Sequence, residues 1–145
     1  MTSTIQESDI KQLNTFLRGE LSAVETYDQA LSKAEDTGAK SVLRENKSSH
    51  AARVDTLRSE IQKLGGEPAD SSGAWGAFAK AVQGGAKVFG ESAAISALEE
   101  GEDHGLKMYK DDDIPPTLRT LVTHKLLPEQ QRTHDAMSRL KELKA

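Results

Sequence analysis

The sequence predicts an all-α four-helix bundle, on three observations. Apolar residues recur at helical spacing through four long stretches, and strong turn signals separate those stretches. Ala, Leu, Glu, Lys and Gln abound while only 4% of residues are aromatic, so local propensity favours helix nearly throughout. At 145 residues the chain is long enough for one substantial core and too short for two, which predicts a single domain over residues 1–145.

The first helix is expected from a cap near Ser8 and Asp9 to about Glu35, where Asp36, Thr37 and Gly38 stop it. Wound at about 100° per residue, Leu13, Leu17, Val24 and Leu31 form one stripe. Glu20 lies near the centre of that stripe and Tyr27 two turns further along. A buried carboxylate needs a cation, a hydrogen-bond network, a metal or a shifted pKa, because leaving it unpaired costs several kcal/mol. The second helix starts near Ala39, places Leu43, Val54, Leu57, Ile61 and Leu64 on one face with His50 at its centre, and ends at Gly65-Gly66-Glu67-Pro68. The short turn between these helices makes them antiparallel neighbours.

Residues 69–90 read as a long crossover between helices two and three, punctuated by Gly and Ser. Trp75, Phe78 and Val82 share a side of a short segment that covers the bundle, or that makes an oligomer or membrane contact through Trp75 and Phe89. The third helix, Glu91 to about Tyr109, has Ile95, Leu98, Leu106 and Tyr109 on its stripe, Glu102 at the centre and Glu99 at the edge. Gly101 and Gly105 are expected to allow close helix approach, and His104 points away. Asp111-Asp112-Asp113 suits a turn, with Pro115-Pro116 opening the next helix. That fourth helix, Thr117 to about Leu143, is interrupted by Pro128, which removes a backbone donor and predicts a kink. On an unbroken wheel Glu129 faces the core and His134 flanks it; a kink or bulge at Pro128 turns His134 inward.

Each helix thus carries an ionisable group at mid-length, and such groups meet at similar depth in a bundle. The candidate metal ligands are Glu20, His50, Glu99, Glu102, Glu129 and His134, with no catalytic residue assignable. Carboxylates and imidazoles are the donors of bundle-core iron or manganese sites, and zinc is a substitute. The alternative is a metal-free buried polar network in which Lys47 or protonated His50 neutralises the carboxylates. Charge and composition exclude other classes. A formal charge of −4 spread through mixed residues argues against nucleic acid, and the lack of cysteine excludes disulfides and thiolate sites. No leader pattern and no long apolar run occur, so a cytoplasmic protein without a membrane partner is expected.

Four stretches, LRGELSAVETY, LGGEP followed by SGAWGAFAK, EEGEDHG and LLPEQQRTH, resemble a bacterial group within the ferritin-like four-helix bundles, over nearly the whole chain. That resemblance implies the bundle fold, a core iron or manganese site, and a link to metal handling or oxidative-stress defence. In ferritin-like proteins the first helix gives a Glu with a Tyr seven residues later, as Glu20 and Tyr27 do; helices two and four give Glu-x-x-His. Here Lys47 precedes His50 and Gln131 precedes His134 at the Glu positions. The rival expectation is a non-enzymatic structural or interaction bundle. A homo-oligomer is left open, and no cage is implied.

Overall fold

A computed structural model describes residues 4–73 and 90–144, and among these every regular element is helical. The helices are α1 (Thr4–Lys33), α2 (Thr37–Lys63), α3 (Glu91–Tyr109) and α4 (Leu127–Lys144). The last continues a 3-10 turn (Pro116–Leu118), a single α turn (Arg119–Leu121) and a π-helical turn (Val122–Leu126). The expected all-α four-helix architecture is therefore present.

Helix boundaries follow local chemistry. Asp36 caps α2 by accepting a hydrogen bond from the Ala39 amide at 2.8 Å. At the other end of α2, Gly65 takes φ of 79°, and the Gly66 and Gly65 amides donate to the Ile61 and Gln62 carbonyls at 2.9 and 3.0 Å. This paired closure satisfies carbonyls that the helix leaves open, and a Cβ at residue 65 would strain it. The helix α1 begins earlier than the sequence signals suggest. Asp9 is therefore no cap; it is buried and accepts from the Thr117 hydroxyl at 2.6 Å, joining α1 to the approach of α4.

Contacts fix the topology. Tyr27 meets Asn46 and Glu102, while Glu20 meets His50 and Tyr109, so α1 runs antiparallel to both α2 and α3. Lys141 reaches Glu99 and Gln130 reaches Glu102, which makes α4 antiparallel to α3. It follows that α2 and α3 are parallel, and the chain must travel the length of the bundle between them. The described start of this crossover runs along α1. Asn14 donates to the Glu67 carbonyl and accepts from the Ala69 amide, and further on Ser72 donates to Glu25. The expectations for Trp75, Phe78, Val82 and Phe89 lie outside the described residues.

Two apolar clusters occupy the ends of the bundle. One gathers Leu13, Phe16, Leu17, Leu57, Ile61, Leu118 and Leu126; the other gathers Ala30, Ala39, Leu43, Ala94, Ile95, Leu98 and Met137. Approaching α4, Leu118, Val122 and Leu126 are buried; within it the buried positions are Gln130, Thr133, Met137 and Leu140. The π turn produces this register. It absorbs one extra residue, so position 130 rather than 129 faces inward. Its cause is Pro128, whose ring crowds the carbonyl four residues back and which has no amide to donate; a widened turn relieves both problems. Exposed Asp111–Asp113 forms the expected turn, closed by the Asp113 amide donating to the Asp111 carboxylate at 2.8 Å. Among the described residues no helix is long and apolar enough to cross a membrane.

Candidate functional site

Between the two apolar clusters lies a layer of ionic and polar side chains. His50 is 2% exposed, and both of its ring nitrogens face carboxylates: Nδ1 lies 2.5 Å from Glu20 Oε1 and Nε2 lies 2.7 Å from Glu102 Oε2. Two carboxylates cannot both accept from a neutral imidazole, which has one N–H to give, so this geometry calls for the imidazolium. Arg53, 1% exposed, completes the charge set one helical turn along α2. Its guanidinium donates to Glu20 Oε2 at 3.3 Å, Thr133 Oγ1 at 3.0 Å, Ser49 Oγ at 3.2 Å and Gln130 Oε1. Arg53 Nη2 also lies 3.3 Å from His50 Nε2. Its two hydrogens are used by Ser49 and Thr133, so this approach is a contact between two donors. Two carboxylates, one guanidinium and one imidazolium sum to zero charge, which is the condition for burying such a set at tolerable cost.

The remaining capacity of the carboxylates is filled from α1, α3 and α4. Tyr109 donates to Glu20 at 2.6 Å and Tyr27 donates to Glu102 at 2.5 Å. The Gln130 side-chain amide Nε2 donates both to the Glu102 carboxylate (2.8 Å) and to the Glu102 backbone carbonyl (3.0 Å), and the Thr133 hydroxyl donates to the Glu102 carboxylate at 2.7 Å. Asn46 holds the Tyr27 hydroxyl at 2.9 Å and the Thr133 carbonyl at 3.0 Å. The tyrosines close the layer from opposite sides. The Tyr27 ring stacks over His50 with centroids 5.4 Å apart, and the Tyr109 ring packs on Phe16 at 4.9 Å. Gly105 makes the Gln130 contact achievable, since a Cβ at that position would lie 2.5 Å from Gln130 Nε2.

Burial shifts every ionisable member, and the partners decide the sign. Burial pushes the Glu20 carboxyl up, but Arg53, His50 and the Tyr109 hydroxyl together hold it below the ordinary value. Glu102 is likewise pushed up by burial and held down by His50, Tyr27 and Thr133. His50 is pushed down by burial and further by Arg53, yet Glu102 and Glu20 raise it above the usual imidazole value. Burial and the adjacent carboxylates raise both phenols well above theirs, so Tyr27 and Tyr109 stay neutral donors.

Of the six candidate ligands, the structure brings Glu20, His50 and Glu102 together and leaves three outside. Glu99 is paired with Lys141 at 3.0 Å. Glu129 is on the rim, accepting from Ser49 at 2.8 Å and Arg132 at 3.0 Å; these two hydrogen bonds lower its pKa despite a small opposing effect of burial. His134 sits between Asp103 (2.6 Å) and Asp135 (3.2 Å), which raise its pKa against the effect of partial burial. Lys47, expected as a core cation, instead pairs with Asp28 at the surface. Arg53, Gln130 and Thr133 were not expected. Asn46, His50, Arg53 and Leu57 continue the α2 stripe at alternating steps of four and three, so Arg53 was visible as a core position. Gln130 and Thr133 follow by stepping back seven residues at a time from Met137 and Leu140. Among the described residues no three His, Asp or Glu side chains are arranged to share one metal ion.

These features define a helical bundle with a charge-balanced ionic layer at its waist. Residues 8–112 match the family described as Domain of unknown function (DUF2383), and the chain belongs to that family. The match takes in Glu20, His50, Arg53, Glu102 and both tyrosines, while Gln130 and Thr133 lie beyond it. No curated protein and no solved structure matches the chain.

Proposed function

We propose that this protein is a ferritin-like bundle that works as a non-enzymatic structural or interaction module, its core cation supplied by its own side chain. The observation that carries this reading is Arg53, whose guanidinium lies among the groups that a core metal would use. The donor set does not fit a dinuclear carboxylate centre. Such centres take four carboxylates and two histidines from the four helices, whereas two carboxylates and one histidine converge here. Both histidine nitrogens and the inward carboxylate oxygens are already engaged with one another. Replacing these interactions with a metal means removing one proton from the His50 imidazolium and crowding a permanent positive charge.

The competing reading, a core iron or manganese site tied to metal handling or oxidant defence, has one observation in its favour. Glu20, His50 and Glu102 converge from three helices, and they are donors of the right chemical type. Elemental analysis of freshly purified protein, paired with melting curves in iron, manganese, zinc and chelator, separates the two. Less than a tenth of an equivalent of metal, with a Tm that ignores all four additions, is the expected result. Stoichiometric metal whose removal lowers the Tm overturns the proposal.

A further inference from the structure

The seam between α1 and α3 holds a cavity of about 30 Å3, which runs between Gly19 and Ala23 on one side and Gly101 and Met108 on the other and reaches His50 and Glu102. That volume has room for about two molecules the size of water. Gly19, Ala23, Gly101 and Met108 are all half-buried, so the cavity comes to the surface beside them. Met108 thus presents its thioether where a small solute can reach it. Met137, in contrast, is 0% exposed inside the apolar cluster at one end of the bundle.

We propose that Met108 is a modification site for hydrogen peroxide, which reaches it through this cavity, and that the resulting sulfoxide loosens α1 from α3 at the waist. This goes beyond the structural reading above and does not depend on it. The sulfur lone pair attacks one peroxide oxygen; the O–O bond breaks as the S–O bond forms, and the second oxygen takes the proton of the first and leaves as water. The thioether loses two electrons and the peroxide gains them. The new oxygen is a strong acceptor, but the side-chain donors around the cavity are already engaged: Tyr27 and Gln130 with Glu102, His50 with Glu20 and Glu102, and Thr26 with the Ser22 carbonyl. The sulfoxide is satisfied either by water drawn into the seam or by taking a donor from a carboxylate, and both weaken the hold of α1 on α3.

The test treats the full chain with hydrogen peroxide in the presence of chelator, so that no metal-generated radical contributes, and maps added oxygen by peptide mass spectrometry. Oxidation is expected to be about tenfold faster at Met108 than at Met137. The oxidised parent should melt about 3–8 °C below the untreated protein, and methionine sulfoxide reductase should restore the Tm. Met108→Leu, which conserves volume and packs in the same place, should keep its Tm through the same treatment. Any contribution of Met1 is common to the parent and this variant, so the difference between them reads residue 108. Ala23→Leu, which fills part of the cavity, should slow the oxidation of Met108 severalfold. Hydrogen exchange of the oxidised parent should lose protection in residues 19–26 and 98–108 before the segments that carry Leu43 and Leu57.

Equal oxidation rates at Met108 and Met137 overturn the proposal, as does an unchanged Tm with Met108 fully oxidised. A loss of Tm as large in Met108→Leu as in the parent places the damage elsewhere and overturns it too. Undiminished oxidation of Met108 in a folded Ala23→Leu overturns the cavity as the route of access.

Discussion

The waist of the bundle and its two ends are equally dry, yet they hold the helices together by different means. At the ends, residues such as Leu57 and Leu43 are 0% and 1% exposed and belong to apolar clusters, so their attraction is non-directional and tolerant of small shifts. At the waist, His50 must meet Glu20 and Glu102 at opposite nitrogens, and Arg53 must reach residues on α1 and α4. Directional bonds of this kind leave one register that satisfies everyone. The ends supply most of the driving force for folding, and the waist selects the alignment.

The sharpest way to break this division is to orphan a waist charge. Glu20→Ala leaves Arg53 and His50 uncompensated and is expected to cost about 3–5 kcal/mol, measured by denaturant unfolding. Replacing Glu20 and Arg53 together with Leu and Met should cost far less than the sum of the single changes, because neither partner is then stranded. Additive costs would show that the two side chains are not coupled.

Truncations at the ends come next. Leu17→Ala and Leu57→Ala in one cluster, and Leu43→Ala in the other, should each cost about 2–5 kcal/mol. These variants should keep the parent's pH dependence, since none touches an ionisable group.

That pH dependence is itself a measure of the waist. The raised pKa of His50 means its stabilisation is complete below the ordinary imidazole value of 6.5 and is lost as pH rises through the folded value. The lowered pKa values of Glu20 and Glu102 mean theirs is complete above the ordinary 4.5 and is lost as pH falls through the folded values. The Tm should therefore be highest between about pH 4.5 and 6.5 and decline on either side. His50→Gln should flatten the alkaline decline, and a parent whose Tm is level from pH 6 to 9 would contradict the imidazolium assignment.

The smallest effect is expected at Lys47. Its pair with Asp28 is well exposed on both sides, so Lys47→Ala should change stability by about 0–1 kcal/mol. A loss as large as that of Glu20→Ala would place Lys47 functionally in the core.

The same contrast explains what was legible in the sequence. Helix spans and apolar ends follow from periodicity, which is redundant over many residues, and α3 falls on Glu91–Tyr109 as its pattern indicates. Glu20, His50 and Glu102 were also readable, because a charge in the middle of an apolar stripe breaks the pattern visibly. Arg53 was missed because the counter-charge was sought three residues before His50, where Lys47 stands, rather than three residues after it. Its spacing from His50 and Leu57 marks a core position, but a long basic side chain can snorkel to solvent, so residue type and position pointed in opposite directions. Gln130 and Thr133 can be read backward from Met137 and Leu140, but read forward from Leu126 they depend on the π turn, and a backbone irregularity has no residue pattern of its own; Pro128 marks its place without stating its size.

That π turn also sets where this chain tolerates the loss of a residue. Deleting one residue within Val122–Leu126 should convert the wide turn to an ordinary α turn and leave Gln130, Thr133 and Met137 on their present face. The same deletion two turns later, after Thr133, would swing Met137 and Leu140 out by about 100° and bring their polar neighbours in. Within one continuous helical stretch, then, a short window is prepared to lose a residue without disturbing what lies beyond it, and sequences one residue shorter here can share the same core.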